Sequence, residues 1–373
     1  MSSAASVSST SVPTVPADRI SCLNQHAPRE SGSYVLYWMT AYRRLSSNYA
    51  LQHAVEWAGR LNKPLLILEA LEADYPWSSP RFHHFIWQGM LNNGQVAQLA
   101  KTAYYPYIEP EPAAGKGLVR TLATEAYLLV TDDYPCFFLP KLKRFCAALS
   151  TLALAVDSNG ILPIRHPDRI FTTAYSFRRF LQKELPQFLA ENPVADPLGY
   201  AIPSDSLEQL VSREIRERYP ALPAKNGEKL VKAAEDRTFN PGVGATSLVG
   251  GNSAAREMLA NFLATRLTGY PDRNHPDDDT QSHLSPYLHF GHISSHEIFD
   301  QLIGQYQWSL ASLSETAKGS RTGWWNLPPE AEGFLDQLIT WRELGFNMCA
   351  YNLDYAQYES LPGWALETLA DHA

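Results

Sequence analysis

Short apolar strings alternate with longer stretches of helical spacing over the first half of the chain. Residues 33–39 are rich in β-formers (Tyr34, Val35, Tyr37, Trp38), and residues 48–58 follow with apolar positions at steps of three and four behind a capping Asn48. A second apolar run, 64–70, is bounded by Pro64, and helical spacing returns over 81–99. Residues 126–131 and 152–157 read as two more buried strands, with a helix-compatible stretch, 139–149, between them. Residues 104–108 are the weakest strand, because Pro106 and Pro110 fall in or beside them. Strand alternating with helix predicts βαβ units and a mostly parallel sheet, so residues 33–165 are expected to form an open α/β domain.

The pattern then breaks. Prolines recur at 186, 193, 197, 203, 220, 223 and 241, and glycines at 242, 244, 250 and 251 close the stretch. Residues 166–250 are therefore expected to be an inter-domain connection carrying one or two short helices, such as 206–219. From 251 to 373 the spacing is helical. Asn252 or Ser253 can cap a helix bearing Leu259, Phe262, Leu263 and Leu267, and Ser294 or Ser295 one bearing Ile298, Phe299, Leu302, Ile303 and Tyr306. A third helix covers about 330–348, and no strand-like alternation is seen, so this region reads as all-α. Residues 1–32 begin with an uncharged Ser-, Ala-, Thr-, Val- and Pro-rich stretch and are expected to be a disordered tail.

Composition refines this picture little. Of 373 residues, 45% are hydrophobic and 19% charged, enough apolar material for a sizeable core. The formal net charge of −8 argues against a general nucleic-acid binder. Locally, Lys141, Lys143, Arg144, Arg165, Arg169, Arg178, Arg179 and Lys183 face only Asp157 and Asp168, which is either a phosphate-facing patch or a solvated surface. Cys22, Cys136, Cys146 and Cys349 have no paired spacing, which speaks against a disulfide framework or zinc site and for a reducing, cytoplasmic setting. No apolar run is long enough to span a membrane, and the first residues lack the charged start of a signal peptide.

Two segments hold candidate chemistry. Ser282 and Ser285 sit beside Pro286 between two helices, where the residues alone favour an ordinary capped turn over an anion site built on unpaired backbone donors. On a regular helix Gln337, Trp341, Leu344 and Met348 share a face, with Leu338 and Arg342 about 100° around. That face could line a pocket for a flat polar ligand, with Arg342 reaching a phosphate or carboxylate, or could simply pack in a core. His283, His289, His292 and His296, near Asp277, Asp278 and Asp279, match no standard metal spacing, and no metal is expected.

Taken in order, several strings resemble the photolyase/cryptochrome family, most closely the class II DNA photolyases. They are Tyr34-Val-Leu-Tyr-Trp-Met39 with Arg43 to Asn48, Ala153 to Pro163, Phe171-Thr-Thr-Ala-Tyr175, Leu284-Ser-Pro-Tyr-Leu-His-Phe-Gly291, Arg342-Glu-Leu344 with Asn347, Tyr351-Asn352 and Trp364-Ala365. The resemblance implies a Rossmann-like antenna domain followed by an all-α FAD-binding domain, incomplete at the C-terminus. It implies a deoxyribodipyrimidine photo-lyase: light-driven electron donation from reduced FAD to a cyclobutane pyrimidine dimer in UV-damaged DNA, by a monomer with a second antenna chromophore of unknown identity. Carried over by position, Tyr270, Gln281, Ser282, His283, Leu284 and Ser285 would hold FAD. Trp341 would stack on the flipped dimer, with Arg342 near the flavin or lesion and Gln337 touching the lesion.

The chain departs from the family pattern in three places. Gln281 replaces a usual threonine. Gln337 replaces a usual glutamate, and an amide cannot supply a proton. The chain stops at Ala373 where relatives continue for roughly another quarter of their length, which would leave the apolar face around Leu338 open. A cryptochrome-like photoreceptor, or a repair-inactive flavin- or DNA-binding fragment, is the alternative reading.

Overall fold

The computed structural model describes residues 11–204, 206–222, 232 and 242–372. Six strands form one sheet: β1 (Ile20–Cys22), β2 (Tyr34–Met39), β3 (Leu65–Leu71), β4 (Ala103–Ile108), β5 (Ala126–Asp132) and β6 (Ala153–Val156). Their order is β1-β6-β5-β2-β3-β4, with every pairing parallel except β1 to β6. Helices α1 (Tyr49–Leu61), α2 (Pro80–Leu99), α3 (Leu118–Glu125) and α4 (Leu139–Ala147) join the successive parallel strands. This is a doubly wound sheet, the Rossmann-like arrangement, whose strand order reverses between β2 and β5.

The alternation along β2 explains the two layers. Val35, Tyr37 and Met39 enter a cluster with α1, whereas Tyr34, Leu36 and Trp38 enter a second with α3. All six residues of β2 are buried, as a strand covered on both faces requires. Asn48 starts α1 as expected, its side chain accepting from the amides of Ala50 and Leu51 at 3.0 and 3.3 Å. Residues 104–108 do form a strand, and the sheet edge is where Pro106 can be accommodated.

The expected tail over 1–32 needs correction from residue 11 onward, while 1–10 lie outside the described residues. Val12 and Val15 are buried in the α1-side cluster, and β1 pairs with β6 in the register Ile20↔Val156. Arg19 is fully buried, donating to the carbonyls of Ile161 and Gly160 at 2.6 and 3.2 Å. A three-residue strand is too short to show alternation, and an arginine reads as surface, so the sequence concealed this edge.

The stretch 166–250 is divided between both halves rather than forming one linker. Helix α5 (Ala174–Glu184) puts Phe177 and Leu181 into the core of the helical half. The short helices Leu207–Leu210 and Arg213–Arg218 lie on the sheet, with Val211, Ile215 and Tyr219 buried there. Most of 223–241 lies outside the described residues.

The helical half is built from Asn252–Asn261, Ser285–His289, Ser295–Ile303 and the long run Pro329–Leu335, Asp336–Trp341 and Arg342–Tyr351. Ser294 caps Ser295–Ile303 through the amide of His296. Asn252 and Ser253 do not cap theirs: the residue before the helix is Gly251, and the Asn252 amide instead donates to the His292 carbonyl at 2.8 Å. Leu338 is buried with Phe262, Leu284 and Phe334, so the expected open face around it is absent.

The two halves meet backbone to backbone at Gly291. Gly291 has φ +72°, and a side-chain carbon there would fall on the carbonyl oxygen of Ala41. Beside it, the buried Arg44 guanidinium donates to the Gly291 carbonyl at 3.1 Å and to Ser158 Oγ at 3.2 Å.

Candidate functional site

The first candidate site lies in the helical half. The helix Asn252–Asn261 runs into a π-helical stretch, Phe262–Arg266, and then a tight turn, Leu267–Asp272, holding Tyr270. The Tyr270 ring packs edge-on against Phe334 at 5.3 Å and against Phe262 at 5.7 Å, and burial pushes its hydroxyl pKa up. Close by, Thr280 Oγ1 and Arg266 Nε are buried with no hydrogen-bond partner among the described residues. Arg266 also pairs with Asp279 at 3.7 Å, and the Thr280 side chain lies against Gly269. Buried donors left unpaired point to a polar ligand, because such groups are costly to leave unmade.

The segment after Thr280 presents short polar groups. Ser282 Oγ accepts from the Leu284 amide at 3.3 Å, and His283, at φ +56°, bonds Asp279 at 2.6 Å. Gln281 and Ser285 are exposed, and Leu284 is buried. Tyr270, Leu284, Phe334 and Leu338 belong to one apolar cluster, so this segment abuts the helix that carries Gln337 and Trp341.

That helix is not regular. Asp336–Trp341 is π-helical, with wider turns than the 3.6-residue count assumes, so facing positions must be read from the structure. Trp341 ends the π stretch 44% exposed, and Gln337 is half-buried. Asp336 turns inward and binds Arg178 through two bonds, 2.7 and 3.1 Å, which ties α5 to the π stretch.

Arg342 does not face the same way as Trp341. Its Nη1 donates to the Asn159 carbonyl at 2.6 Å, and its guanidinium lies 4.6 Å over the Phe346 ring. Glu343, which sequence reasoning passed over, accepts from the amides of Ile161 and Leu162 at 2.8 and 3.3 Å. Burial pushes its carboxyl up to about 7, against those amides and Arg342, which pull it down. Asn347 accepts from the Phe171 amide and donates to the Arg169 carbonyl, both at 2.9 Å. Arg342, Glu343 and Asn347 thus clamp the chain leaving the sheet. The adjacent Arg-Glu pair and Asn347 were visible, but nothing in their spacing says that they turn toward backbone.

The cationic cluster is partly consumed inside the molecule. Lys143 and Arg165 both pair with Asp133, Arg178 is buried on Asp336, and Arg169 stacks 4.9 Å over Phe171. The histidines also have other roles: His292 accepts from the Gly251 amide at 2.9 Å, and burial pushes its pKa and that of His296 down. Among the described residues the one grouping of metal-capable side chains is Glu72, Asp74 and Glu109, and it includes no histidine.

The second candidate site was not foreseen. A cavity of about 310 Å³ opens beyond the carboxyl ends of β2 and β3, beside the strand-order reversal, where open α/β sheets bind ligands. Trp38, Tyr75, Phe82, Tyr134, Phe137, Phe138, His289 and Phe290 give it an aromatic lining. Tyr75 Oη, and nearby His83 Nε2, are buried with no hydrogen-bond partner among the described residues. Burial pushes the Tyr75 hydroxyl up to about 12 and His83 down to about 4, so both are neutral at pH 7. A largely aromatic pocket with the neutral Tyr75 hydroxyl inside it and Arg43 and Glu72 on its wall suits an aromatic ligand bearing polar groups. The usable signal was the aromatic density over 75–87 and 134–138.

The chain is 29% identical over 360 residues to the deoxyribodipyrimidine photo-lyase of Methanothermobacter thermautotrophicus, covering 95% of this chain and 70% of that protein. It is 30% identical over 365 residues to that of Oryza sativa subsp. japonica, covering 92% of this chain and 63% of the relative. Among solved structures, a class III photolyase from Agrobacterium tumefaciens superposes with a TM-score of 0.59 at 16% identity, covering 87% of this chain and 61% of that one. The cryptochrome of Synechocystis sp. PCC6803 also gives 0.59, at 15% identity, covering 87% and 62%. These structural likenesses concern the fold. No protein-family model matches the chain.

Proposed function

We infer, from the 29% and 30% identity to deoxyribodipyrimidine photo-lyases, that this chain belongs to the photolyase/cryptochrome family. We propose that it serves light-driven repair of cyclobutane pyrimidine dimers in UV-damaged DNA, as a deoxyribodipyrimidine photo-lyase of the class II type. The observation that carries the reading is the likeness to photo-lyases along 95% of this chain.

FAD fits the first site by the chemistry of its donors. The buried, unpaired Thr280 Oγ1 and Arg266 Nε, with Ser282 and Ser285, are suited to a diphosphate, and Tyr270 and Leu284 to the body of the nucleotide. His283 and Gln281 would border it. When bound, FAD supplies the light-driven electron; the protein's share is to bind, orient and exclude water. The half-exposed Trp341 would offer its indole face to extruded pyrimidines, and Gln337 an amide for their polar edges. Arg342 would hold the helix in place through Asn159 and lend positive charge nearby. The cavity beyond the ends of β2 and β3 would take the second, light-gathering chromophore, a planar aromatic ligand hydrogen-bonded by Tyr75.

The test reconstitutes the purified chain with FAD and follows dimer-containing oligonucleotides under blue light by chromatography. Monomeric pyrimidines appearing only in the light support the reading; flavin uptake without repair rejects it. That second outcome would favour a photoreceptor of the cryptochrome kind, a reading motivated by Gln337, whose amide cannot donate a proton as a carboxyl group can.

A further inference from the structure

We propose that Cys136 and Cys349 form an oxidisable thiol pair that becomes a disulfide joining the two halves of the molecule when the protein meets a peroxide. Sequence spacing hides the pair, since one cysteine follows β5 and the other lies in Arg342–Tyr351. The fold brings them together: Cys136 is buried, Cys349 packs against the same apolar cluster, and the two thiols lie within range to influence one another.

The flanking contacts hold this meeting in place from both sides. The Tyr134 ring packs edge-on against Phe346 at 5.4 Å. The Phe137 amide donates to the Tyr355 hydroxyl at 2.7 Å, which ties the residue after Cys136 to the segment that follows Cys349. Neither thiol has to travel through solvent to find its partner. The two are also unlike. The neighbouring Cys136 and Tyr355 pull the Cys349 thiol down despite burial, whereas Cys349 and burial push Cys136 up. Cys349, the more exposed of the two, is the sulfur a peroxide reaches first, and the buried Cys136 is the resolving one.

The chemistry balances with hydrogen peroxide as the oxidant. The Cys349 thiolate attacks one peroxide oxygen, the O–O bond breaks, and the departing hydroxide takes up a proton to become water. Sulfur is oxidised to the sulfenic acid and the peroxide is reduced. Cys136 sulfur then attacks Cys349 sulfur, an S–S bond forms, the S–O bond breaks, and the leaving hydroxide takes the Cys136 proton as a second water. Cys22, whose exposed thiol bonds the Asn24 carbonyl at 2.8 Å, and the buried Cys146 serve as internal controls.

The experiment treats the folded, fully reduced chain with hydrogen peroxide, blocks remaining thiols by alkylation, and digests it without reductant for mass spectrometry. The expected result is a peptide crosslinked between Cys136 and Cys349, alkylatable cysteines falling from four to two, and recovery of all four with dithiothreitol. In Cys136→Ser the crosslink should vanish, and dimedone should trap a sulfenic acid on Cys349. Peroxide that carries Cys349 to sulfinic acid while Cys136 stays alkylatable overturns the proposal. So does oxidation confined to Cys22. The wild-type crosslink decides the matter even if the variant does not fold.

Discussion

The sheet half and the helical half bury their cores by different means. In the sheet half, β2 sends alternate residues into two clusters, and the strand-order reversal leaves a defined aromatic cavity beyond the strand ends. In the helical half the candidate ligand groups sit on or beside two π-helical stretches, Phe262–Arg266 and Asp336–Trp341. The first half makes its site from regularity and the second from departures from it. Departures must be held in place, and here a buried ion pair and a clamp of backbone-facing side chains do so.

The comparison breaks most sharply at Arg178. Arg178→Ala leaves Asp336 buried without its cation, and unfolding by denaturant should show a loss of about 3–5 kcal/mol. Hydrogen exchange should show the π stretch losing protection while β2 and β5 keep theirs. An unchanged denaturation midpoint would mean that the π stretch does not depend on this pair.

Next in size is the pH dependence of the clamp. The folded protein holds the Glu343 proton up to about pH 7, above the usual carboxyl value of 4.5, so the folded state binds more protons in between. Its contribution is fully present below about 4.5 and is lost as pH rises through 7, with a span of about 3 kcal/mol. Denaturation series at pH 5 and 8 should show this fall, and Glu343→Gln should flatten it. A matching slope in the variant would assign the effect to other groups.

Trp341→Ala sharpens the functional side. With 44% of the residue exposed, stability should change little, while binding of dimer-containing DNA should weaken by about 1–3 kcal/mol per stacked base. Fluorescence anisotropy against undamaged DNA of the same length checks this. Equal affinity for damaged DNA before and after the change would remove Trp341 from the lesion site.

The smallest effect belongs to the regular half. Ser79→Ala removes the α2 cap and should cost about 0.5–2 kcal/mol in thermal or chemical unfolding.

The same contrast governs what the sequence made legible. The strands β2, β3, β5 and β6 could be read to within a residue, and the helix α1 to within three, because period-two and 3.6-residue patterns are local. β1 was invisible because three residues show no period, and Arg19 disguised its burial. Gln337 and Trp341 were found, but a regular helical count assumed a geometry that the π stretch does not have. Arg178 read as surface charge because its partner Asp336 is remote in sequence. The cavity was missed for the same reason: Trp38, Tyr75, Phe137 and His289 form no string and meet only once the sheet is wound.

Gly291 carries a mechanical consequence. Because the Ala41 carbonyl occupies the place of any side chain at that position, and Arg44 bonds the Gly291 carbonyl beside it, the two backbones can lie this close only with glycine there. A larger residue would have to wedge the seam apart, so the spacing between the two halves is written into one missing methyl group.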